Sequence, residues 1–213
     1  MKRVFHITIL LVTVVAVFVS CSDKPDNTIA NLKVAITKET NASAAYKAFQ
    51  AKATEEGYQR IANMFKAVAE AEEYHIRNHN DVLKKMGEEV FRSTAETPTV
   101  SGTIENIHDA INDEKNEYTV TYPGFIAAAK KGKFEDAATS FTLANKAEEN
   151  HEEWFSDVLR SLNEKGNEED VPPVWFVCTR CGGLFTNHFS KCELCQVETE
   201  RQNYIPKVFD SRP

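Results

Sequence analysis

The sequence predicts a mostly α-helical protein, a four-helix bundle followed by a small domain built around four cysteines. Residues 57–83 recur as 133–159 with helical spacing of their apolar side chains, and two Cys-x-x-Cys pairs follow the prolines at 172–173. A chain of 213 residues, 42% of them apolar, can form one sizeable domain and a smaller one. The net charge of −7 argues against nucleic-acid binding, which usually needs a basic face.

The first 21 residues are expected to be an export signal rather than part of the fold. A basic start precedes the apolar run Ile7–Val19, which is short for a membrane span and is followed by Ser20 and Cys21. This pattern resembles a bacterial lipoprotein signal, in which Cys21 is lipidated and residues 22–28 form a polar tether. We therefore expect a cell-envelope protein that touches the membrane only through its lipid anchor. An ordinary secretory signal or an uncleaved anchor helix is the alternative.

The two repeated segments have the pattern of amphipathic helices. A shift of 76 residues superimposes the residues of their apolar stripes: Tyr58 on Phe134, Phe65 on Phe141, Val82 on Val158 and Leu83 on Leu159. A further helical segment precedes each copy, so the bundle at 29–166 is predicted to contain four helices. These helices are expected at about 28–55, 58–86, 103–131 and 133–165.

The connections in this bundle are also predictable. A glycine follows or separates each helix, as expected at helix C-termini, and residues 88–102 form the long crossover that a bundle of this kind needs. Pro123 lies inside the third helix and is expected to kink it.

Both repeated stripes carry the sequence Glu-x-x-His on the apolar side of the helix. Positions i and i+3 share a helix face, so each motif directs one carboxylate and one imidazole inward, and each preceding helix adds a glutamate. Burying an ionised carboxylate without a partner costs several kcal/mol or more, so a positive charge is expected inside. Two Glu-x-x-His helices and two single-Glu helices form the ligand set of a carboxylate-bridged di-iron or di-manganese bundle. The predicted ligands are Glu39, Glu72, His75, Glu114, Glu148 and His151.

The alternative, a solvated charged face, conflicts with the apolar periodicity. His79 lies one turn after His75 and aligns with Phe155 of the other copy; we expect it near the bundle end, and the alternative is that it supports the ligands.

The C-terminal part predicts a second metal site. After an acidic linker at 167–173, residues 174–213 contain two Cys-x-x-Cys pairs with the spacing of a tetrahedral four-thiolate site. Zinc is the usual occupant of such a site and iron the alternative, while two disulfides are conceivable in an exported protein. The four ligands are Cys178, Cys181, Cys192 and Cys195.

Over about residues 29–205 these features resemble rubrerythrin, a ferritin-like di-iron domain joined to a rubredoxin-like domain with one iron on four cysteines. The most specific part of the likeness is "DEKNEYTVTYPGF", which contains Glu114 and Glu117. The resemblance implies that Glu117 is a seventh ligand and that one iron moves between Glu117 and His75 as its charge changes. It also implies that Tyr46 and Tyr122 hydrogen-bond ligand carboxylates, although both would otherwise be read as core aromatics.

The activity that this resemblance implies is reduction of hydrogen peroxide, with Glu117, His75, Tyr46 and Tyr122 as the catalytic residues. Electrons would come from an external donor, such as rubredoxin or an NAD(P)H-dependent reductase, through the four-cysteine iron. In the family this transfer crosses a dimer interface, so at least a homodimer is expected. Two other functions remain open, a ferritin-like ferroxidase and a metal-binding bundle whose zinc ribbon is structural.

Overall fold

A computed structural model describes residues 26–199 and 206–212 and confirms the predicted fold. The predicted signal, lipidation at Cys21 and the first part of the tether lie outside these residues. The helices are α1 (Asp26–Glu55), α2 (Gln59–Lys85), α3 (Thr103–Asn116), α4 (Tyr122–Lys131) and α5 (Glu135–Lys165). The strands are β1 (Val174–Val177), β2 (Leu184–Phe185) and β3 (Lys207–Asp210). None of the helices in the described part of the chain is both long and apolar enough to cross a membrane.

The bundle has an apolar cluster on either side of a buried polar layer. Phe65 and Phe155 belong to one cluster, while Phe141 and Leu83 belong to the other. Along α2 and α5, the Glu-x-x-His motifs fall between these residues, so the polar layer crosses the middle of the bundle. Helix α1 begins at Asp26, slightly before its predicted start at about residue 28.

The third predicted helix is interrupted by one wide turn, a π-helical segment at Glu117–Thr121, before it continues as α4. Pro123 has no N–H to donate within a regular α-helix, and the chain absorbs this loss by widening the preceding turn. The Tyr122 N–H accordingly donates to the Glu117 carbonyl, five residues back. The irregularity expected at Pro123 therefore precedes the proline and takes the form of a π turn.

The small domain is a three-stranded antiparallel sheet with strand order β2-β1-β3. In the chain, the first cysteine pair lies between β1 and β2 and the second between β2 and β3. Trp175 of β1 meets Trp154 of α5 edge to face, with ring centroids 5.0 Å apart. The Asn63 side chain donates to the Phe209 carbonyl across 3.0 Å. The sheet therefore packs on the bundle of its own chain.

The linker between the domains is fixed to the start of α2. The carboxylate of Glu168 accepts hydrogen bonds from the backbone N–H groups of Arg60 and Ile61, two of the N–H groups that have no partner inside a helix. The Arg60 guanidinium in turn donates to the Val171 carbonyl at 3.0 Å. These contacts direct the chain back across the bundle and determine where the small domain lies.

Candidate metal centres

The bundle brings its six predicted ligands together in two overlapping clusters. All six side chains are at most 3% exposed. The two clusters, in each of which the ligand atoms lie within 4.8 Å of one another, are Glu39–Glu72–His75–Glu148 and Glu72–Glu114–Glu148–His151. Glu72 and Glu148 belong to both.

The two shared glutamates have the orientation of bridging ligands. Glu148 places Oε1 at 2.9 Å from His75 Nδ1 and Oε2 at 3.0 Å from His151 Nδ1. Glu72 does the same, with Oε2 at 2.9 Å from His75 Nδ1 and Oε1 at 3.6 Å from His151 Nδ1. Each carboxylate thus offers one oxygen to each of two adjacent positions, as a two-metal site requires.

The chemistry of these groups fits a pair of cations. Both oxygens of Glu72 and of Glu148, and Nδ1 of both histidines, are buried without a hydrogen-bond partner. His75 Nε2 lies 2.9 Å from the Cys181 carbonyl and His151 Nε2 lies 3.2 Å from the Gly182 carbonyl. Since a carbonyl can only accept, each Nε2 donates to it, and each Nδ1 is the ring nitrogen that faces the carboxylates and that a metal would bind in place of a proton. Oxygen and imidazole ligands suit iron and manganese alike.

Burial raises the pKa of Glu72 and of Glu114 well above the usual range, and the neighbouring Glu148 raises both further. Burial, together with Glu39 and Glu148, likewise raises the pKa of Glu117 to about 8. The carboxylates of this layer are therefore unfavourable as a group of anions, and positive ions between them would relieve the repulsion.

Glu117, the predicted seventh ligand, lies beside the clusters without belonging to either. Its Oε1 accepts a hydrogen bond from Lys38 Nζ at 3.1 Å, while Oε2 is buried without a hydrogen-bond partner. Sequence reasoning overlooked Lys38, because the two residues are 79 positions apart and a surface lysine before Glu39 has no distinguishing pattern.

The two predicted tyrosines each contact a ligand glutamate of the opposite half. Tyr46 of α1 donates to Glu114 Oε1 at 2.6 Å, and Tyr122 donates to Glu39 Oε1. Burial raises the pKa of both hydroxyls well above 10, so both keep their protons and remain donors. These contacts fix the orientation of each terminal carboxylate.

His79 belongs to this network, which is the alternative to the preferred expectation of a place near the bundle end. It is fully buried, with Nδ1 at 2.9 Å from Ser140 Oγ and Nε2 at 3.1 Å from the Tyr122 hydroxyl. Burial lowers the pKa of His79 to about 3, so the ring is neutral and Nε2–H donates to Tyr122, which donates to Glu39. Its spacing of four residues from His75 places it on the ligand face of α2, and that was the available signal.

The four predicted cysteines form a second centre. They are free thiols whose sulfur atoms lie within 4.8 Å of one another, with Cys178–Cys195 at 3.8 Å and Cys181–Cys192 at 3.7 Å. A tetrahedral site with metal–sulfur bonds of about 2.3 Å places its sulfurs about 3.8 Å apart, whereas a disulfide needs about 2.05 Å. The disulfide alternative is therefore wrong, and the sulfur positions suit iron and zinc equally.

The two centres of one chain are in contact. The carbonyls of Cys181 and Gly182 accept the hydrogen bonds from His75 and His151 described above. Helix α5 holds the next segment, because Asn150 accepts from the Leu184 N–H at 2.7 Å and Trp154 donates to the Leu184 carbonyl at 3.1 Å. The approach between two chains that the family resemblance implies stays a prediction; within this chain, the contacts of the linker with α2 bring the two centres together.

The raised pKa values predict how the metal-free protein responds to pH. A carboxyl group that holds its proton up to about pH 8 in the fold but only to about 4.5 when unfolded stabilises the fold at low pH, and this contribution is lost as the pH rises. Between pH 6.5 and 8, in the presence of a chelator, the free energy of unfolding should fall by about 1 kcal/mol per pH unit for such a group. Chemical denaturation of the wild type and of Glu117→Gln measures this slope, which should be shallower in the variant.

Glu149→Gln is the matched control for this experiment, because Glu149 is exposed on the same helix as Glu148. It should keep the wild-type slope. Equal slopes in the wild type and in Glu117→Gln would contradict a protonated Glu117 in the metal-free fold.

Comparison with known proteins identifies the family to which this architecture belongs. The family model described as rubrerythrin matches residues 30–159. Nigerythrin from Nitratidesulfovibrio vulgaris is 31% identical over 170 residues, which cover 79% of this chain and 82% of the relative. Rubrerythrin from Porphyromonas gingivalis is 29% identical over 186 residues, covering 86% and 91%.

The comparison with solved structures points to the same family. A mixed-valence nigerythrin structure superimposes with a TM-score of 0.75 at 29% identity and covers 85% of this chain and 86% of its own. Symerythrin from Cyanophora paradoxa, reduced with dithionite, reaches a TM-score of 0.58 at 25% identity over 65% of this chain and 86% of its own. With its duplicated Glu-x-x-His helices and its four-cysteine domain, the chain belongs to the rubrerythrin family.

Proposed function

We propose that this protein is a non-haem di-iron peroxidase that reduces hydrogen peroxide to water, with electrons received through an iron held by the four cysteines. The observation that carries the proposal is the contact of Cys181 and Gly182 with both cluster histidines, since it joins a thiolate centre directly to a two-metal centre. The balanced reaction takes one hydrogen peroxide, two electrons and two protons to two water molecules. When bound, the iron pair would supply the two electrons and polarise the peroxide oxygens as Lewis acids.

The glutamates and histidines of this chain provide the frame for that chemistry. Glu72 and Glu148 hold the two metal positions side by side, while Glu39 and Glu114 complete them at either end. The hydroxyl groups of Tyr46 and Tyr122 keep the terminal carboxylates oriented and hold protons close to them. Reduction therefore takes place in a layer whose ligands cannot rotate freely.

A cavity of about 450 Å³ provides access for a small polar substrate. It lies against α1 and α3 and reaches Glu39, Glu114 and Glu117, with Lys38 and Tyr46 in its wall. Hydrogen peroxide, with only two oxygen atoms, fits easily into this space, and the polar side chains in the wall can hydrogen-bond to it.

The backbone between the two centres provides the route for electrons. A donor, rubredoxin or an NAD(P)H-dependent reductase in our proposal, would approach on the side of Cys195, which is half-buried while the other three cysteines are buried. The Cys181 and Gly182 carbonyls then connect the thiolate centre to both histidines through single hydrogen bonds. Because this route is complete within one chain, the homodimer that we also propose is not needed to close it.

A Cys195→Ser variant tests the relay. The chain purified without oxygen from iron-supplemented cells should contain about three irons, two in the bundle and one on the cysteines, as the two ligand sets require. Cys195→Ser should lose donor-linked peroxide turnover at least about 100-fold, because electrons can no longer reach the bundle in the correct geometry. Chemically reduced Cys195→Ser should still consume about one peroxide per iron pair in a single turnover, measured by stopped flow.

Glu193→Gln, an exposed change in the same cysteine loop, is the control and should turn over normally. Unchanged turnover in Cys195→Ser would contradict the relay, as would one zinc in place of the third iron. A wild-type chain with a full iron pair that consumes no peroxide would overturn the peroxidase and favour ferroxidase or passive metal binding.

We also propose where in the cell the protein acts. The basic start, the apolar run and Cys21 favour export and lipid anchoring, which would place peroxide reduction at the cell envelope. The membrane would then be contacted through the lipid alone, and the acidic chain has no role with nucleic acid in this account.

A further inference from the structure

Lys38 is placed where a cation can act on the metal centre without belonging to it. It immediately precedes Glu39 on α1, and its Nζ donates to Glu117 Oε1 at 3.1 Å. The Lys38 side chain is 36% exposed and that of Glu117 is 9% exposed, so the ion pair spans the wall of the cavity from solvent to the buried layer. The other lysine and arginine ion pairs seen in the described parts of the chain, such as Lys33–Glu88 and Lys47–Glu73, involve acids that are not predicted ligands.

Glu117 has the properties of a ligand held in reserve. Glu114, one turn earlier, contributes to a cluster, while Glu117 turns one oxygen to Lys38 and leaves Oε2 buried without a hydrogen-bond partner. An oxygen that accepts a hydrogen bond from an ammonium group is a poorer metal ligand, because part of its charge is already neutralised. The Glu117 carboxylate can therefore pair with Lys38 or bind a metal at full strength, but it cannot do both at once.

We propose that Lys38 is a positioning residue that competes with the metal pair for the Glu117 carboxylate. When the charge on the pair is low, Lys38 keeps Glu117 aside, and when the charge rises, the metal draws Glu117 away from Lys38. Lys38 thereby controls how readily Glu117 joins the centre and how tightly the pair is held. Its effect on turnover depends on the proposed peroxidase function, whereas its effect on metal binding does not.

A simpler electrostatic role must be distinguished from this competition. Any lysine near the clusters repels metal cations, and its removal would tighten metal binding whether or not Glu117 is present. Competition for Glu117 predicts instead that the two residues are coupled, so that removing Lys38 has its effect only while Glu117 is there.

The test is a double-mutant cycle on Mn²⁺ binding to the metal-free protein. Mn²⁺ is a suitable probe because carboxylate and imidazole ligands bind it, whereas thiolates do not favour it. The concentration of free Mn²⁺ is measured from its electron paramagnetic resonance signal. Lys38→Met should tighten Mn²⁺ binding roughly tenfold in the otherwise wild-type protein, but less than about twofold when Glu117→Gln is also present. Lys38→Arg, which retains the charge, should restore most of the wild-type affinity.

Lys47→Met is the matched control. Lys47 lies on the same helix and pairs with Glu73 at 2.8 Å, away from the clusters, so its removal should leave Mn²⁺ affinity unchanged. Equal tightening by Lys38→Met in both backgrounds would overturn the competition in favour of simple repulsion, and no tightening would overturn it outright.

Peroxide turnover is measured separately on the iron-loaded variants. Coupled Mn²⁺ affinities without any peroxide consumption would support the role of Lys38 and refute the peroxidase. Additive affinities with normal consumption would overturn the role of Lys38 and leave the peroxidase standing.

Discussion

Gly182→Ala is expected to lower donor-linked peroxide turnover about 100-fold while leaving both metal centres filled. A methyl group on Gly182 would lie 2.4 Å from His75 Nε2 and 3.2 Å from its two ring carbons. Because His75 is fixed by the cluster, the cysteine loop must move away and the hydrogen bond to the Cys181 carbonyl is lost. A displacement of about 1 Å between reacting groups can cost about 100-fold in rate. The rate of electron arrival at the bundle, followed by stopped flow from the reduced four-cysteine centre, measures this loss.

The backbone angle of Gly182 can be separated from this clash. Gly182 has φ +84°, and so does Gly87, where an added methyl group would meet nothing within 4 Å. Gly87→Ala should therefore cost about 1 kcal/mol in stability with unchanged turnover. Gln196 occupies the corresponding position of the second cysteine loop at φ +60°, which shows that the loop accepts a side chain with this backbone. A normal rate of electron arrival in Gly182→Ala would contradict an electron route through the contact between the Cys181 carbonyl and His75.

Glu148→Gln is expected to empty the bundle of its metal pair. Glu148 uses both oxygens, one toward each histidine, so an amide in its place turns a donor toward one of the two positions. His75 holds the pKa of Glu148 at about 2 against the opposing effect of burial, so the wild-type group is an anion at any physiological pH. Loss of a residue that merely supports a ligand costs about 10- to 100-fold in metal affinity, and a shared ligand should cost at least about 100-fold.

Metal content and metal-dependent melting temperature measure this effect. The wild type should melt higher with added Mn²⁺, which thiolates do not favour, than without it, since an ion that binds only the folded state stabilises it. Glu148→Gln should melt at one temperature under both conditions, and its control, the exposed Glu149→Gln, should keep the wild-type difference. A full metal pair in Glu148→Gln would contradict the bridging assignment.

The repeat made the ligand layer predictable. Glu72 and His75 are three residues apart on an apolar stripe, as are Glu148 and His151, so a local rule about helix faces places all four inside. The fold class followed because two such helices cannot bury their stripes alone. Likewise, the spacing of the cysteines determines the small site almost without reference to the rest of the chain.

What the sequence did not reveal depends on contacts between distant segments. The pairing of Lys38 with Glu117, the hydrogen bonds of His79 and the seat of the small domain on its own bundle each join residues that are far apart in the chain. No periodicity records such contacts. The π turn before Pro123 was also hidden, because a proline predicts a break in a helix but not the form that the break takes.

That π turn explains how two halves with different Glu–Tyr spacing keep the same tyrosine–glutamate contacts. Tyr46 follows Glu39 by seven positions in α1, whereas Tyr122 follows Glu114 by eight in the other half. Each tyrosine nevertheless reaches the glutamate of the opposite half. The wide turn takes up the additional residue, so Tyr122 occupies the face that a regular helix would give to position 121. At the place of Glu117 the first half has Ala42. The one-residue difference in spacing thus falls where the two halves differ in chemistry, so the two metal positions are chemically distinct.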